Sequence, residues 1–310
     1  MTLRKLTVTA ENAGKRLDQF LTSALPGTSL THARTLIAQG RVRIRGKQVK
    51  PLRVLWGGEE VEVDLPAPRA PAKVEGQRIP LLYESPDLLV VNKPSGVTVE
   101  PEGKAPSVVT LVASQMGGFN VGGQALPGVA HRLDRETTGC LALARTDAGV
   151  AQLEAAFQEK RVDKRYLTLV LGEPPASARL EGPYSRSPEN PRLFTTRVES
   201  ARRAALSYEV RERFSGAALV EVKLETGRTH QIRVQLSEVG FPVLGDPLYG
   251  PLEARAHPAA QALGRLALHA ARLRLEGLSA KGHIAVEAPL PEDFTRALAV
   301  LRASHPVRTP

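Results

Sequence analysis

Between Leu65 and Pro80 the chain carries Pro66, Pro68, Pro71 and Pro80. Each proline fixes φ and lacks a backbone N–H, so neither a helix nor a central strand crosses such a stretch. The composition is that of a linker. It divides the chain into an expected module over 1–65, a linker over 66–80, a larger domain over 81–300 and a tail over 301–310. With 310 residues, 42% of them hydrophobic, the chain has apolar side chains enough for a sizeable core.

The small module reads as strand, helix, helix, strand. Leu3 to Val8 suits a strand, and Leu17, Phe20, Leu21 and Ala24 fall at helical spacing. Pro26-Gly27 stops that helix, Thr28 or Ser29 can cap the next, and Ala33, Leu36 and Ile37 share its inner face before Gly40 ends it. In Arg41-Val42-Arg43-Ile44-Arg45, alternation sends Val42 and Ile44 to one face and the three arginines to the other. Arg34 reaches the same side. Six basic residues and no acid lie between Arg41 and Arg53. Two readings stand open, an RNA-backbone platform and a solvated strand face. The whole chain carries a formal charge of +10. Its preference for Arg over Lys suits phosphate and base contacts, and a genome-wide bias explains it equally well.

In the larger domain, Leu81 to Glu84 and Leu88 to Val91 flank a Ser-Pro-Asp turn, which predicts a hairpin into a buried strand. Lys93 follows at a break, where exposure at a turn is preferred to a phosphate contact. His131 to Gly139 sets Asp134 between Arg132 and Arg135, after a Gly-rich approach and before the apolar run Cys140 to Ala144. That is a frequent setting for chemistry. On spacing alone the commoner reading of Asp among arginines is a surface ion pair worth about 0–1 kcal/mol. Thr146 caps a helix with Asp147 in its first turn and Val150, Leu153 and Phe157 inward. Tyr166 opens a strand after the basic run Lys160 to Arg165, as a core residue or as a flat surface beneath a base. Leu219 to Glu225 reads as a strand, Thr226 to Thr229 as a turn, and His230 to Val239 as a helix with Ile232, Leu236 and Val239 inward. Asp246 lies in a Pro/Gly-rich loop. Strands at 266–275 and 283–286 and a helix at 292–303 complete a strand-rich, non-alternating order compatible with an α+β class.

Several chemistries lack their signature. There is no Walker-type or dinucleotide glycine loop and no Gly-x-Ser-x-Gly elbow. One Cys excludes an internal disulfide, and the seven His are scattered without metal-ligand spacing. No cofactor or metal is expected. The first residues are mixed and charged rather than signal-like, and no apolar run approaches the ~20 residues of a membrane span, so a cytoplasmic protein is expected.

Four blocks together resemble the RluA-type pseudouridine synthases. They are Leu82-Tyr83-Glu84 through Asn92-Lys93-Pro94-Ser95-Gly96; His131-Arg132-Leu133-Asp134-Arg135 through Gly139; Lys164-Arg165-Tyr166 through Gly172; and Gly227-Arg228-Thr229-His230-Gln231-Ile232-Arg233 with Gly245-Asp246 and Tyr249-Gly250. Leu268-His269-Ala270 echoes a late block. Residues 16–21, 33–46 and 57–63 resemble the RNA-binding module of ribosomal small-subunit protein four. Thr138, Thr168, Glu100 and Gln235 depart from the commoner Ser, Ala, His and His, and the last two are candidates for a different RNA contact.

The resemblance implies a catalytic domain with a mixed, mostly antiparallel sheet behind a small α+β RNA-binding domain. It implies isomerisation of uridine to pseudouridine within RNA, most simply large-subunit ribosomal RNA, in the service of ribosome biogenesis. It assigns Asp134 as the catalytic carboxylate, attacking covalently or removing the 2′ proton to give a glycal. Arg233 is its partner, holding its pKa low, and Tyr166 stacks on the uracil. Arg132 fills the space left by a flipped base. Arg135, Arg228, His230, Gln231, Arg34, Arg41, Arg43 and Arg45 are the remaining candidate RNA contacts. No nucleotide cofactor, metal or membrane is implied, and a monomer is expected. The same chemistry on transfer RNA, a non-catalytic assembly factor and a base-excising glycosylase are the alternatives.

Overall fold

The computed structural model describes residues 2–25, 28, 30–65, 76–102, 105–279 and 282–304. The expected helix stop at Pro26-Gly27, the cap at Ser29, linker residues 66–75 and tail residues 305–310 lie outside them. In chain order the elements are β1 (Thr2–Thr7), α1 (Leu17–Ala24), α2 (Leu30–Ala38), β2 (Val42–Ile44), β3 (Lys47–Gln48), β4 (Glu60–Leu65), β5 (Leu81–Glu84), β6 (Leu88–Lys93), α3 (Val108–Met116), β7 (Thr138–Ala144), α4 (Asp147–Gln158), β8 (Val162–Leu171), β9 (Ser177–Pro183), β10 (Ser185–Arg186), β11 (Phe194–Thr195), β12 (Arg203–Phe214), β13 (Ala217–Leu224), α5 (Gln231–Glu238), α6 (Leu252–Ala256), α7 (Pro258–Leu263), β14 (Leu268–Glu276), β15 (His283–Glu287) and α8 (Glu292–Ala303). Two compact units interleave along the sequence. One is Met1–Val91, Val99–Arg132 and Ala142–Glu159; the other is Asn92–Thr98, Leu133–Leu141 and Lys160–Pro310. β6 and β7 each run from one into the other.

In the first unit the N-terminal sheet has the order β1-β4-β2-β3, antiparallel throughout. The spacing of Leu17, Phe20 and Leu21 on α1 and of Ala33, Leu36 and Ile37 on α2 buries both helices against Val42, Ile44, Val61 and Val63. Gly40, at φ +70°, turns the chain from α2 into β2. Further along, the Thr146 hydroxyl accepts from Gly149 N at 3.0 Å and caps α4, as its sequence predicts. His131 is structural: its Nε2 accepts from Ala142 N at 2.9 Å, and its ring lies 4.8 Å from that of Phe157.

The second unit is built on one sheet in which β7, β14, β8, β13, β12 and β9 follow in that order, with β15 beside β14. β14 and β7 run parallel; the other pairs are antiparallel. This is the mixed, mostly antiparallel sheet expected. The parallel pair brings Gly139 against Ala270, and a Cβ on Gly139 would lie 2.2 Å from the Ala270 carbonyl oxygen. Gly139 also has φ +109°, a region costly for any other residue. Among the described residues no helix is long and apolar enough to cross a membrane.

Candidate active site

The turn that carries Asp134 into β7 is held by its own carbonyls. Asp134 O accepts from Thr137 N at 3.0 Å. Arg135 O accepts from Gly96 N at 3.0 Å and from Lys93 Nζ at 2.7 Å. Glu136 O accepts from Arg265 Nη1 at 3.3 Å and has Ser95 Oγ at 3.1 Å. Thr137 O accepts from Lys93 Nζ at 2.9 Å. Lys93 also donates to Pro94 O at 2.9 Å and is fully buried. The turn-exposed Lys93 expected from sequence is therefore corrected: the lysine satisfies three backbone carbonyls from inside. Burial pulls its pKa down to about 7, against the pull of Glu136 and Asp134. Arg265 is fixed in turn by Asp293, at 2.6 and 2.9 Å.

On this support Asp134 presents its carboxylate with 23% of the side chain exposed. Its Oδ2 accepts from Arg233 Nη1 at 3.0 Å. Arg233 comes from α5, only 6% exposed, and gives its other face to Asp246, with Nε–Oδ2 and Nη2–Oδ1 both at 2.8 Å. Asp246 has no exposure and also accepts from Leu248 N and Tyr249 N. Burial opposes the Arg233 charge, but Asp246 first and Asp134 second hold its pKa above the ordinary value. One guanidinium thus bridges a buried carboxylate and a partly open one. Gly245, at φ +73°, lets the Asp246 loop approach, since a Cβ there would lie 2.2 Å from Arg265 O.

The second oxygen, Asp134 Oδ1, lies 3.9 Å from His230 Nε2. His230 precedes α5 in a left-handed conformation, φ 58°, with Nδ1 3.0 Å from the Tyr249 hydroxyl. Tyr249 lies beneath Arg233, whose Cζ is 5.2 Å from its ring centre. Tyr166 is buried on β8; burial pushes its hydroxyl pKa well up, and the Asp134 charge adds to the rise. Where β7 begins, the Thr138 hydroxyl meets His269 Nδ1 at 2.8 Å and His269 Nε2 meets Ala288 O at 3.2 Å. Burial lowers the His269 pKa to about 4, so this clamp works with a neutral ring.

Of the residues expected at the site, Asp134, Arg233 and His230 converge, and Tyr166 borders them. Arg135 is exposed, donating to Gly96 O at 3.1 Å. Arg228 is exposed beside the turn, with Nε donating to Arg203 O at 3.0 Å. Gln231 is only 2% exposed: it accepts from Thr226 Oγ1 and Arg228 N and donates to Ala205 O and Gln235, which makes it a buried brace of the turn and not an RNA contact. Gln235 is likewise buried, donating to Leu180 O and Ala204 O, so its departure from the commoner His is a packing matter. Thr168 uses its hydroxyl inside the sheet, donating to Ala267 O at 2.8 Å. Val239, expected inward, is 43% exposed, because α5 ends at Glu238. Arg132 is exposed on the first unit. Arg34 pairs with Asp18, and Arg41 with Asp64 at 3.1 Å, while Arg43 and Arg45 are exposed. Arg45 has φ 52° and leaves β2, so the basic strand face is shorter than the alternation suggests. Arg265 and Asp293 carry no signal in the sequence, and Lys93 reads as exposed because a lysine in a turn-like Asn-Lys-Pro-Ser-Gly carries no local sign of burial. Among the described residues no group of three His, Cys, Asp or Glu is placed to hold a metal ion.

A family model described as RNA pseudouridylate synthase matches residues 87–238, and one described as S4 domain matches residues 15–61. An uncharacterized RNA pseudouridine synthase of Chloroflexus aurantiacus is 36% identical over 307 residues, covering 97% of this chain and 95% of that protein. Ribosomal large subunit pseudouridine synthase D of Zymomonas mobilis is 35% identical over 319 residues, covering 98% and 99%. Among solved structures, human RNA pseudouridylate synthase domain containing 1 superposes with a TM-score of 0.58 at 27% identity, over 70% of this chain and 86% of that one. With its two matched models and near full-length relatives, this chain belongs to the RNA pseudouridine synthase family and is an isomerase converting uridine to pseudouridine in RNA.

Proposed function

We propose that this enzyme modifies specific uridines of large-subunit ribosomal RNA in the cytoplasm, with Asp134 as its catalytic carboxylate. The observation that carries the assignment is the asymmetry of that group: one oxygen is held by Arg233 at 3.0 Å and the other lies on a partly open side, 3.9 Å from His230. An ionised carboxylate so held either attacks C1′ or takes the 2′ proton. In the first route the carboxylate displaces N1 from C1′ and is itself displaced when C5 bonds there; in the second the 2′ proton leaves as the N1–C1′ bond breaks and returns as C5 bonds to C1′. In both the uracil turns, the C5 proton leaves and N1 gains one. Tyr166 walls the uracil. The base must first leave its stack, at a cost of a few kcal/mol, and Arg132 occupies the space it leaves. The ribosomal substrate is supported by relatives named ribosomal large subunit pseudouridine synthase D, among them one from Escherichia coli at 32% identity over 96% of this chain. Arg43 and Arg45 on the N-terminal module would meet phosphates.

The test is pseudouridine mapping by chemical adduct and primer extension on ribosomal and transfer RNA. Cells lacking the protein are compared with cells given back wild type or Asp134→Asn. Discrete large-subunit sites should vanish and return only with wild type, the variant losing at least ~10³-fold in rate. Loss confined to transfer RNA would overturn the substrate, and restoration by Asp134→Asn would overturn the catalytic assignment.

A further inference from the structure

The N-terminal module carries an exposed apolar strip besides Arg43 and Arg45. From Leu52 to Trp56 the chain passes beside residues 14–18, with Leu17 N donating to Arg53 O at 2.8 Å and Leu55 N to Lys15 O at 3.0 Å. Alternation then sorts the side chains. Leu55 is fully buried, while Leu52, Val54 and Trp56 point outward, 63%, 47% and 70% exposed. Single exposed apolar residues need no explanation, but three in a row on one face do. Trp56 is the only tryptophan in the chain.

What flanks this strip decides what it would meet. The two bonds around the Arg16–Val54 bridge are those of a pair set directly opposite with side chains on one face. The Arg16 guanidinium is held by Asp18, with Nη2–Oδ2 at 2.5 Å, and Arg34 Nε reaches the same Oδ2 at 2.9 Å. Asp18 has no exposure, whereas Arg16 and Arg34 are 35% and 49% exposed. Two guanidiniums on one buried carboxylate form a rigid, net positive cluster, and exposed Lys50 adds to it. A polyanion with flat apolar faces complements this surface; a protein partner would need an acidic, apolar one.

We infer that the Leu52–Val54–Trp56 strip, with Arg16 and Arg34 beside it, is a site for unpaired RNA: a base stacks on Trp56 while the arginines hold its flanking phosphates. This adds contacts beyond Arg43 and Arg45, and it rests on the reading of the module as RNA-binding. Stacking of this kind tolerates any base, so the site supplies affinity rather than sequence choice.

Because Trp56 is alone, intrinsic fluorescence reports the site directly. The full-length protein is titrated with a short single-stranded RNA and with a duplex of the same length, with free tryptophan amide as the optical control. Single-stranded RNA should quench the emission and saturate with binding measured by filter retention; the duplex should bind without quenching. Trp56→Ala should weaken single-strand binding roughly 5- to 150-fold, the range for one stacked base, and Trp56→Phe should restore most of it. Unchanged emission at saturating single-stranded RNA, or unchanged affinity in Trp56→Ala, would overturn the site while leaving pseudouridine formation, mapped separately, intact. Concentration-dependent self-association abolished by Trp56→Ala would assign the strip to a second copy instead. Absence of RNA binding altogether would remove the RNA-binding reading of the module as well.

Discussion

Asp134 and Asp246 share one guanidinium, yet replacing each by Asn should do opposite things. Asp246 has no exposure, takes two 2.8 Å bonds from Arg233 and accepts two backbone N–H groups. Asp246→Asn keeps the shape and removes the charge, leaving a 6%-exposed guanidinium with only Asp134 to balance it. Breaking a buried pair from one side costs about 3–5 kcal/mol. Asp134 remains as a partner, so about 3 kcal/mol is expected. Asp134 is partly open and contributes one bond to an arginine that Asp246 already holds. Asp134→Asn should therefore change stability by about 1 kcal/mol or less while abolishing turnover. Urea unfolding followed by far-ultraviolet circular dichroism gives both values at equal slope, and single-turnover pseudouridine formation gives the other axis. If Asp246→Asn unfolded within 1 kcal/mol of wild type, or Asp134→Asn proved the less stable of the two, the hierarchy of the two carboxylates would be wrong.

Other perturbations follow from the same geometry. Lys93→Met leaves the carbonyls of Arg135, Pro94 and Thr137 without their shared donor and should cost at least ~2 kcal/mol, read in the same urea series; a neutral result would mean the turn holds itself. Gly139→Ala combines a 2.2 Å approach to Ala270 O with φ +109°, and should destabilise by about 2 kcal/mol or more, which a drop in thermal midpoint would show. His269 is held neutral, its pKa lowered from 6.5 to about 4; the unfolded chain binds the extra proton between those values, so stability falls as pH drops through that window, by up to ~3 kcal/mol, and His269→Asn should flatten the profile. Replacing Arg43 and Arg45 together should reduce the salt dependence of single-stranded RNA binding by about 1.4 units in log–log slope, with Arg41 adding little because Asp64 already pairs with it; an unchanged slope would return β2 to an ordinary solvated face.

Much of this was written in the order of residues. Helical spacing in 17–24 and 30–38, alternation at Val42 and Ile44, the Thr146 cap and the apolar run 140–144 each specify a local element, because each depends on neighbours within a turn or a pleat. The candidate site was legible in a weaker sense: His131 to Gly139 and Gly227 to Arg233 single out Asp134 and Arg233, which the fold pairs across 99 residues. Tertiary structure alone decided the rest. Lys93 reads as a turn lysine, yet three carbonyls contributed by its neighbour and by residues about 40 positions away compensate its burial. Gln231 and Gln235 read as candidate RNA contacts, yet the sheet supplies Ala204, Ala205 and Leu180 carbonyls that satisfy their amides in the interior. Sequence fixes what a residue can donate or accept; whether burial is tolerable depends on which distant backbone groups arrive opposite it, and that is set only when the chain has closed on itself.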